Sequence, residues 1–197
     1  MHLYIVYAHP SAQSFCREVL HEFCGGLQEK GHSFEVSDLY KNGFPSDMSP
    51  AQYEREIGMD PDAALPPDVI AEHERLARAD MLVFIYPNWW SDVPAKLKGW
   101  FDRVWSYGYA YFYEKDGLRK SRVNPKKALV ICTAGHTEEH LTEVGIAQSM
   151  RKIMLEDRLG NVGFEDVRME ILGGMMPSDV RYRGTNLKRV RDLASSL

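Results

Sequence analysis

Residues 81–113 read MLVFIYPNWWSDVPAKLKGWFDRVWSYGYAYFY, and this stretch decides the fold and shows where to look for function. Its first six residues are an unbroken apolar run rich in branched and aromatic side chains, as in a parallel strand buried on both faces. Pro87 has no N–H for a strand ladder and predicts the strand's end. Ser91 or Asp92 can cap a helix with Pro94 in its first turn, where a missing N–H costs little. Val93, Leu97, Trp100, Phe101, Val104 and Trp105 then recur at helical spacing, so this face is expected to pack. Pro87-Asn88-Trp89-Trp90 is left as a loop at the carboxyl end of a strand, the edge at which open α/β sheets bind ligands. The run from Phe84 to Tyr113 holds 12 of the chain's 22 aromatic residues and all four tryptophans. Trp100, Phe101 and Trp105 read as packing residues. Adjacent indoles in a loop are hard to bury together, and Trp89 and Trp90 suit a pocket for a flat, partly apolar ligand.

Strand and helix patterns alternate on either side of this unit. Strands are expected at 2–8, 33–38, 81–86, 128–133 and 166–172, with helices at 14–30, 68–78, about 141–158 and about 178–195. Phe15, Val19, Leu20, Phe23 and Leu27 line one face of the first helix, and Gly31 stops it. SFEVSD at 33–38 alternates in polarity and suits a sheet edge. Residues 41–67 read as an irregular excursion with room for one short helix, and 115–127 as a polar loop or small hairpin. Five strands separated by helices predict an α/β fold, a five-stranded parallel sheet with helices on both faces and right-handed crossovers. The length favours a flavodoxin-like strand order, 2-1-3-4-5, over a six-strand dinucleotide fold.

Composition narrows the function classes. The 197 residues, 44% hydrophobic and 26% charged, suit one domain over 1–197. A net charge of −4 argues against a sequence-independent nucleic-acid binder. Neither a signal-peptide pattern nor an apolar run of membrane-spanning length is present, so a cytoplasmic protein is expected. Cys16, Cys24 and Cys132 form no CxxC and read as reduced packing residues.

In a parallel sheet the loops after the first, third and fourth strands open at one edge, and each carries its own chemistry. His9-Pro10-Ser11-Ala12-Gln13-Ser14-Phe15 runs into a helix start, where hydroxyls, free amides and the positive helix end suit a phosphate. Neither GxGxxG nor GxxxxGK[ST] is present. Ser14 can equally serve only as the helix cap. Thr133-Ala134-Gly135-His136 places small residues where backbone amides can approach a planar ligand. His136, Glu139 and His140 match an HxxEH zinc pattern, but zinc binding needs both histidines on one helical turn and a third ligand elsewhere. No metal is expected. The basic run Arg181, Arg183, Lys188, Arg189 and Arg191 reads as a solvated helix face.

Three segments, AHPSAQSF at 8–15, DLY at 38–40 and YPNWWSDVPAKLKGWFDRVWSYGYAY at 86–111, carry a resemblance to a known family. The chain resembles the NAD(P)H:quinone oxidoreductases, flavodoxin-like flavoproteins that include bacterial drug-activity modulators and ancillary subunits of glutathione-gated potassium efflux systems. The likeness runs from residue 2 to about residue 172. It implies an enzyme that reduces quinones by two electrons in a ping-pong cycle, with NADPH or NADH as donor. It also implies one flavin per chain, FMN rather than FAD because no long C-terminal extension follows. His9, Ser14, Phe15 and Cys16 match the first flavin loop, at the phosphate end. Pro87, Asn88, Trp89 and Trp90 match the segment along the isoalloxazine ring, and Thr133, Ala134 and Gly135 the loop facing its polar edge. Tyr111 and Tyr113 match aromatics that cover the substrate pocket from the neighbouring subunit of a homodimer; His136 would contact substrate.

One departure concerns the proton relay. Animal members place a tyrosine and a histidine near the flavin. His140 stands roughly at the tyrosine position here, as the candidate catalytic residue, and Ala147 or Gln148 stands at the histidine position. The alternative implied by the resemblance is a flavin-bearing regulatory subunit docked on a potassium efflux transporter.

Overall fold

The computed structural model describes residues 1–176 and 180–197. Five strands form one parallel sheet: β1 (His2–Tyr7), β2 (Ser33–Asp38), β3 (Met81–Pro87), β6 (Lys127–Thr133) and β7 (Asp166–Leu172). A two-stranded antiparallel hairpin, β4 (Phe112–Tyr113) and β5 (Arg119–Lys120), interrupts the count. The sheet runs β2-β1-β3-β6-β7, which is the expected 2-1-3-4-5 order of the five long strands. The short β2 edge strand is the segment whose polarity alternates.

The continuous apolar runs have their physical reason in two cores. Tyr4, Val6, Leu82, Phe84, Ala128 and Val130 face one side, and Leu3, Ile5, Val83, Ile85, Leu129 and Ile131 the other, as a two-residue period demands. Helices α1 (Phe15–Glu29) and α7 (Val180–Ser195) cover the second side. The first side is covered by α3 (Pro67–Arg78), α4 (Ala95–Val104) and the helical segments after β6. The short helix in the excursion is α2 (Pro50–Ile57), capped by Ser49 with Pro50 in its first turn. The last helix was expected from about 178; that start lies outside the described residues.

Two expected boundaries are corrected. Pro94, not Ser91 or Asp92, stands at the cap of α4, because Val93 precedes a proline and is driven out of the helical region. The expected single helix over 141–158 is broken into α5 (Glu138–Glu143), α6 (Ile146–Arg151) and a π-helical segment, Lys152–Leu159. Gly145, at φ +79°, makes the first break. In the π segment Met154 and Leu159, five residues apart, are the buried pair, which matches i→i+5 winding rather than a 3.6-residue stripe.

One buried carboxylate ties four elements together. Glu72 of α3 is 2% exposed and accepts hydrogen bonds from Tyr4 Oη on β1, Ser37 Oγ on β2 (3.1 Å), Trp100 Nε1 on α4 (2.5 Å) and Arg75 Nη1 (2.8 Å). Burial, and then the Glu72 charge, push the Tyr4 phenol well above its ordinary pKa, so it stays a donor. Gly99 lets α4 pass against the chain at Ser46, whose carbonyl would lie 2.2 Å from any added Cβ.

Glu72→Leu should therefore lower the urea-unfolding free energy by about 3–5 kcal/mol, the usual cost of orphaning buried partners. An unchanged midpoint would show that the network contributes nothing. His73 gives a second expectation. It stacks on Tyr109 at 3.6 Å, its Nε2 meets Val104 O at 2.9 Å, and burial holds its pKa down to about 4. The unfolded chain binds the proton first, so stability present above pH 6.5 is lost as pH falls toward 4, by roughly 2–3 kcal/mol. His73→Gln should flatten that limb of a pH-dependent unfolding curve.

Candidate functional site

The carboxyl ends of β1, β3 and β6 bring three loops together. Asn88 N–H donates to Thr133 O at 2.7 Å, joining the β3 and β6 loops. The ring of His9 meets Trp89 edge-on, centroids 5.8 Å apart, joining the β1 and β3 loops. Ala134 N–H donates to Leu172 O and Gly174 N–H to His136 O, so the β6 loop is also fastened to the end of β7.

At α1, Ser14 Oγ accepts from Arg17 N–H (3.1 Å) and donates to Ser11 O (2.9 Å), so its hydroxyl is committed to capping. The amides of Ala12, Ser14, Phe15 and Cys16 have no acceptor among the described residues and point from the positive end of a 15-residue helix. The Cys16 side chain lies in the core, where burial pushes the thiol's pKa up, so this residue can offer only its amide to a ligand. Phe15 is half-buried beneath the Arg183 guanidinium. His9 Nδ1 accepts from Ser11 N–H, and burial lowers its pKa, which keeps the imidazole neutral with Nε2 as donor. Beside this loop a cleft of about 320 Å³ reaches Asp38, Tyr40 and Lys41. The buried Tyr7 Oη at its wall makes no hydrogen bond of ordinary geometry among the described residues.

The β3 loop is a tight hairpin. Pro87 remains in the strand as its last residue, opposite Thr133, which corrects the expected end at 86. Trp89 N–H donates to Asp92 O (3.1 Å) and Asp92 N–H to Trp89 O (3.2 Å). Between them Trp90 and Ser91 both take positive φ, +52° and +63°. That combination is the turn usually made by Asn-Gly, so a Trp-Ser pair stores strain here. Trp90 is fully exposed and Trp89 is 42% exposed. Asn88 Oδ1 is buried without a partner among the described residues, a cost that a ligand donor would remove.

In the β6 loop Ala134 N–H is already used, which leaves the amides of Gly135 and His136 with no acceptor among the described residues. Thr133 and Ala134 are buried and Gly135 is exposed. His136 and His140 are exposed with rings 4.9 Å apart. His136 precedes the cap Thr137, so the two histidines do not share one helical turn as the zinc pattern requires. Among the described residues no three His, Cys, Asp or Glu side chains converge. Ala147 is in the core, and Gln148 Nε2 donates to Thr142 O, so neither stands as a proton donor to the loops.

Tyr111 and Tyr113 face elsewhere. Tyr111 packs on Tyr107 (5.5 Å) beneath Arg119, along a groove of about 420 Å³ with Lys98, Trp105 and Arg158. Half-exposed Tyr113 lies in the hairpin. The chemistry of the three loops is that of a site for a flat aromatic ligand with an anionic tail. Asp92 and Arg158, which sequence reasoning did not single out as a pair, lie 66 residues apart and meet at 2.9 Å behind the Trp hairpin.

A family described as having a flavodoxin-like fold matches residues 1–192. The chain is 32% identical to NAD(P)H dehydrogenase [quinone] 1 of Cavia porcellus over 195 residues, covering 90% of this chain and 70% of that protein. It is 30% identical to an NAD(P)H oxidoreductase of Haemophilus influenzae, over 91% of this chain and 87% of that one. An NAD(P)H:quinone oxidoreductase from Methanothermobacter marburgensis superposes with TM-score 0.95 at 58% identity, covering 99% and 98% of the two chains.

Ser14→Ala should lower stability by about 1 kcal/mol through loss of the α1 cap, read as a shift in urea midpoint. No shift would mean that the capping bond is immaterial.

Proposed function

Because this chain belongs to the flavodoxin-like family that includes the NAD(P)H:quinone oxidoreductases, we propose that it reduces quinones by two electrons, with NAD(P)H as donor and bound FMN as cofactor. The observation that carries this is the joining of three loops, through His9–Trp89 and Asn88–Thr133, into one site with an anion-binding helix end and an aromatic surface. The residues present fit a flavin. Among the described residues Asn88 Oδ1 is a buried acceptor without a donor, and the amides of Phe15 and Cys16, without acceptors there, suit a phosphate. A flavin held there would supply two-electron chemistry between the nicotinamide donor and the acceptor.

The chain's own residues then bind and orient. The α1 amides, with His9 Nε2 as an added donor, hold the phosphate end. Asn88, Trp89 and Trp90 lie along the ring, following Pro87 at the strand end. Gly135 and His136 supply amides at the polar edge, beyond Thr133 and Ala134, where they stabilise developing negative charge. His136 contacts substrate, and His140 is the candidate group to steady charge during turnover. Tyr111 and Tyr113, turned away from these loops, would cover the site of a second copy in a homodimer. The exposed Tyr53, Ile57, Met59, Tyr113 and Leu118 support an interface, since soluble chains seldom leave so many large apolar residues bare. No helix among the described residues is long and apolar enough to cross a membrane, and no observation favours the transporter-subunit alternative.

Purified protein should be yellow, and heat should release FMN, identified by chromatography. With NAD(P)H and a benzoquinone, initial-rate plots should be parallel, because donor and acceptor use one slot in turn; intersecting lines would defeat the shared slot. Sedimentation should give twice the 22.6 kDa chain mass. A colourless protein that no flavin reconstitutes would overturn the reading.

A further inference from the structure

The strained hairpin of the β3 loop needs an explanation for why it keeps its shape. Two consecutive non-glycine residues at positive φ are strained and persist only where the surroundings over-determine them. Two backbone bonds between Trp89 and Asp92 close the turn, and Asn88 N–H on Thr133 O with the His9 ring on Trp89 holds its entry. What holds its exit is Arg158. Its Nη1 and Nη2 donate to Asp92 Oδ1 and Oδ2 at 2.9 and 3.3 Å, a two-pronged grip. Asp92 Oδ1 also accepts Val93 N–H at 2.7 Å, which locks the carboxylate at the turn's exit.

Arg158 is itself held on every side. Its side chain is only 12% exposed, against 51% for Asp92. The guanidinium lies over the Phe101 ring at 5.4 Å, and the Arg158 carbonyl accepts Trp105 Nε1–H at 3.0 Å. Both aromatic partners belong to the α4 end of the fold, so the grip is referred to the core and not to a mobile surface. The π-winding matters to this. With i→i+5 winding, Met154 and Leu159 are both buried in the core, and the residue preceding Leu159 reaches the hairpin. Between Tyr86, Asp92, Met154 and Arg158 only about 10 Å³ of space remains, too little for the hairpin to shift inward. Most exposed ion pairs are worth little, but a bidentate fork on an immobilised guanidinium is the geometry in which one has directional worth.

We infer that Arg158, acting through Asp92, is the positioning residue of this site: it sets where Trp89 and Trp90 stand, and so the shape of the slot for the quinone. The inference rests on the proposed function and adds a specificity element to it. Arg158 belongs to none of the three loops and acts on the site through Asp92. The strain in Trp90 and Ser91 is held by the ion pair, and the fully exposed Trp90 indole is presented as a rigid wall.

The test uses holoenzyme with NADPH and a benzoquinone, comparing wild type with Asp92→Asn, Arg158→Gln, Arg158→Lys and the Asp92→Asn/Arg158→Gln double variant. Either single change should raise KM for the quinone about tenfold while kcat changes less, since small misplacements of positioning groups weaken productive binding. The double variant should be no worse than the worse single, because the pair acts as one unit. Arg158→Lys, which keeps the charge but not the fork, should fall between. Flavin content and melting temperature are recorded for each. Unchanged KM in Asp92→Asn, or KM effects that multiply in the double variant, would overturn the inference. Should Arg158→Gln fail to fold, Asp92→Asn alone decides, since its amide has the carboxylate's shape at a half-exposed position. A wild type without flavin or turnover would instead be a failure of the proposed function itself.

Discussion

The Glu72 carboxylate is the constraint on which the positions of the other parts depend. Burying one charge in an apolar interior costs several kcal/mol unless its oxygens are fully engaged. Here they are, by Tyr4 of β1, Ser37 of β2, Trp100 of α4 and Arg75 of α3 itself. Arg75 in turn reaches Glu35 on β2 at 2.7 Å, which carries the tie to the surface. The consequence runs forward along the chain. With Trp100 pinned, α4 cannot slide on the sheet, and the Trp89–Asp92 hairpin just before it inherits a fixed origin.

From that origin the division of labour among the aromatics follows. Trp100, Phe101 and Phe84 interlock edge-on and tilted at 5.0–5.4 Å in the core beneath the hairpin. They form the floor on which Arg158 rests. The two indoles that the core does not absorb are the two in the turn. A concentration of aromatics along one stretch therefore serves two ends, packing for the carboxyl-terminal half and presentation for the loop. Around it, the amides of Phe15, Cys16, Gly135 and His136 have no acceptor among the described residues.

Much of this was legible in the residues. Continuous runs such as MLVFIY and ALVICT announce strands buried on both faces, and their loops carry the small, hydroxyl-bearing and aromatic residues that open at one edge. The loop residues His9, Asn88, Trp89 and Thr133 do meet, because parallel strands must present their carboxyl ends together. At three positions one local signal met a competitor. Asp92 has the right chemistry for a cap, yet Arg158 claims its carboxylate. Ser14 carries a hydroxyl that could face a phosphate, yet Arg17 N–H and Ser11 O already occupy it. Cys16 sits in the right loop, yet its side chain turns into the core.

What the sequence determined by itself is the order of elements, the parallel sheet and the chemistry of each loop, since these follow from periodicity and turn residues within a few positions of one another. Tertiary structure alone decided the burial of Glu72, the breaks and π-winding after β6, and the grip of Arg158 on Asp92. The burial of Glu72 and the grip on Asp92 rest on segments tens of residues apart coming within hydrogen-bond reach. Hydrogen bonds are short-ranged, so no local pattern records which distant partner will arrive to complete them.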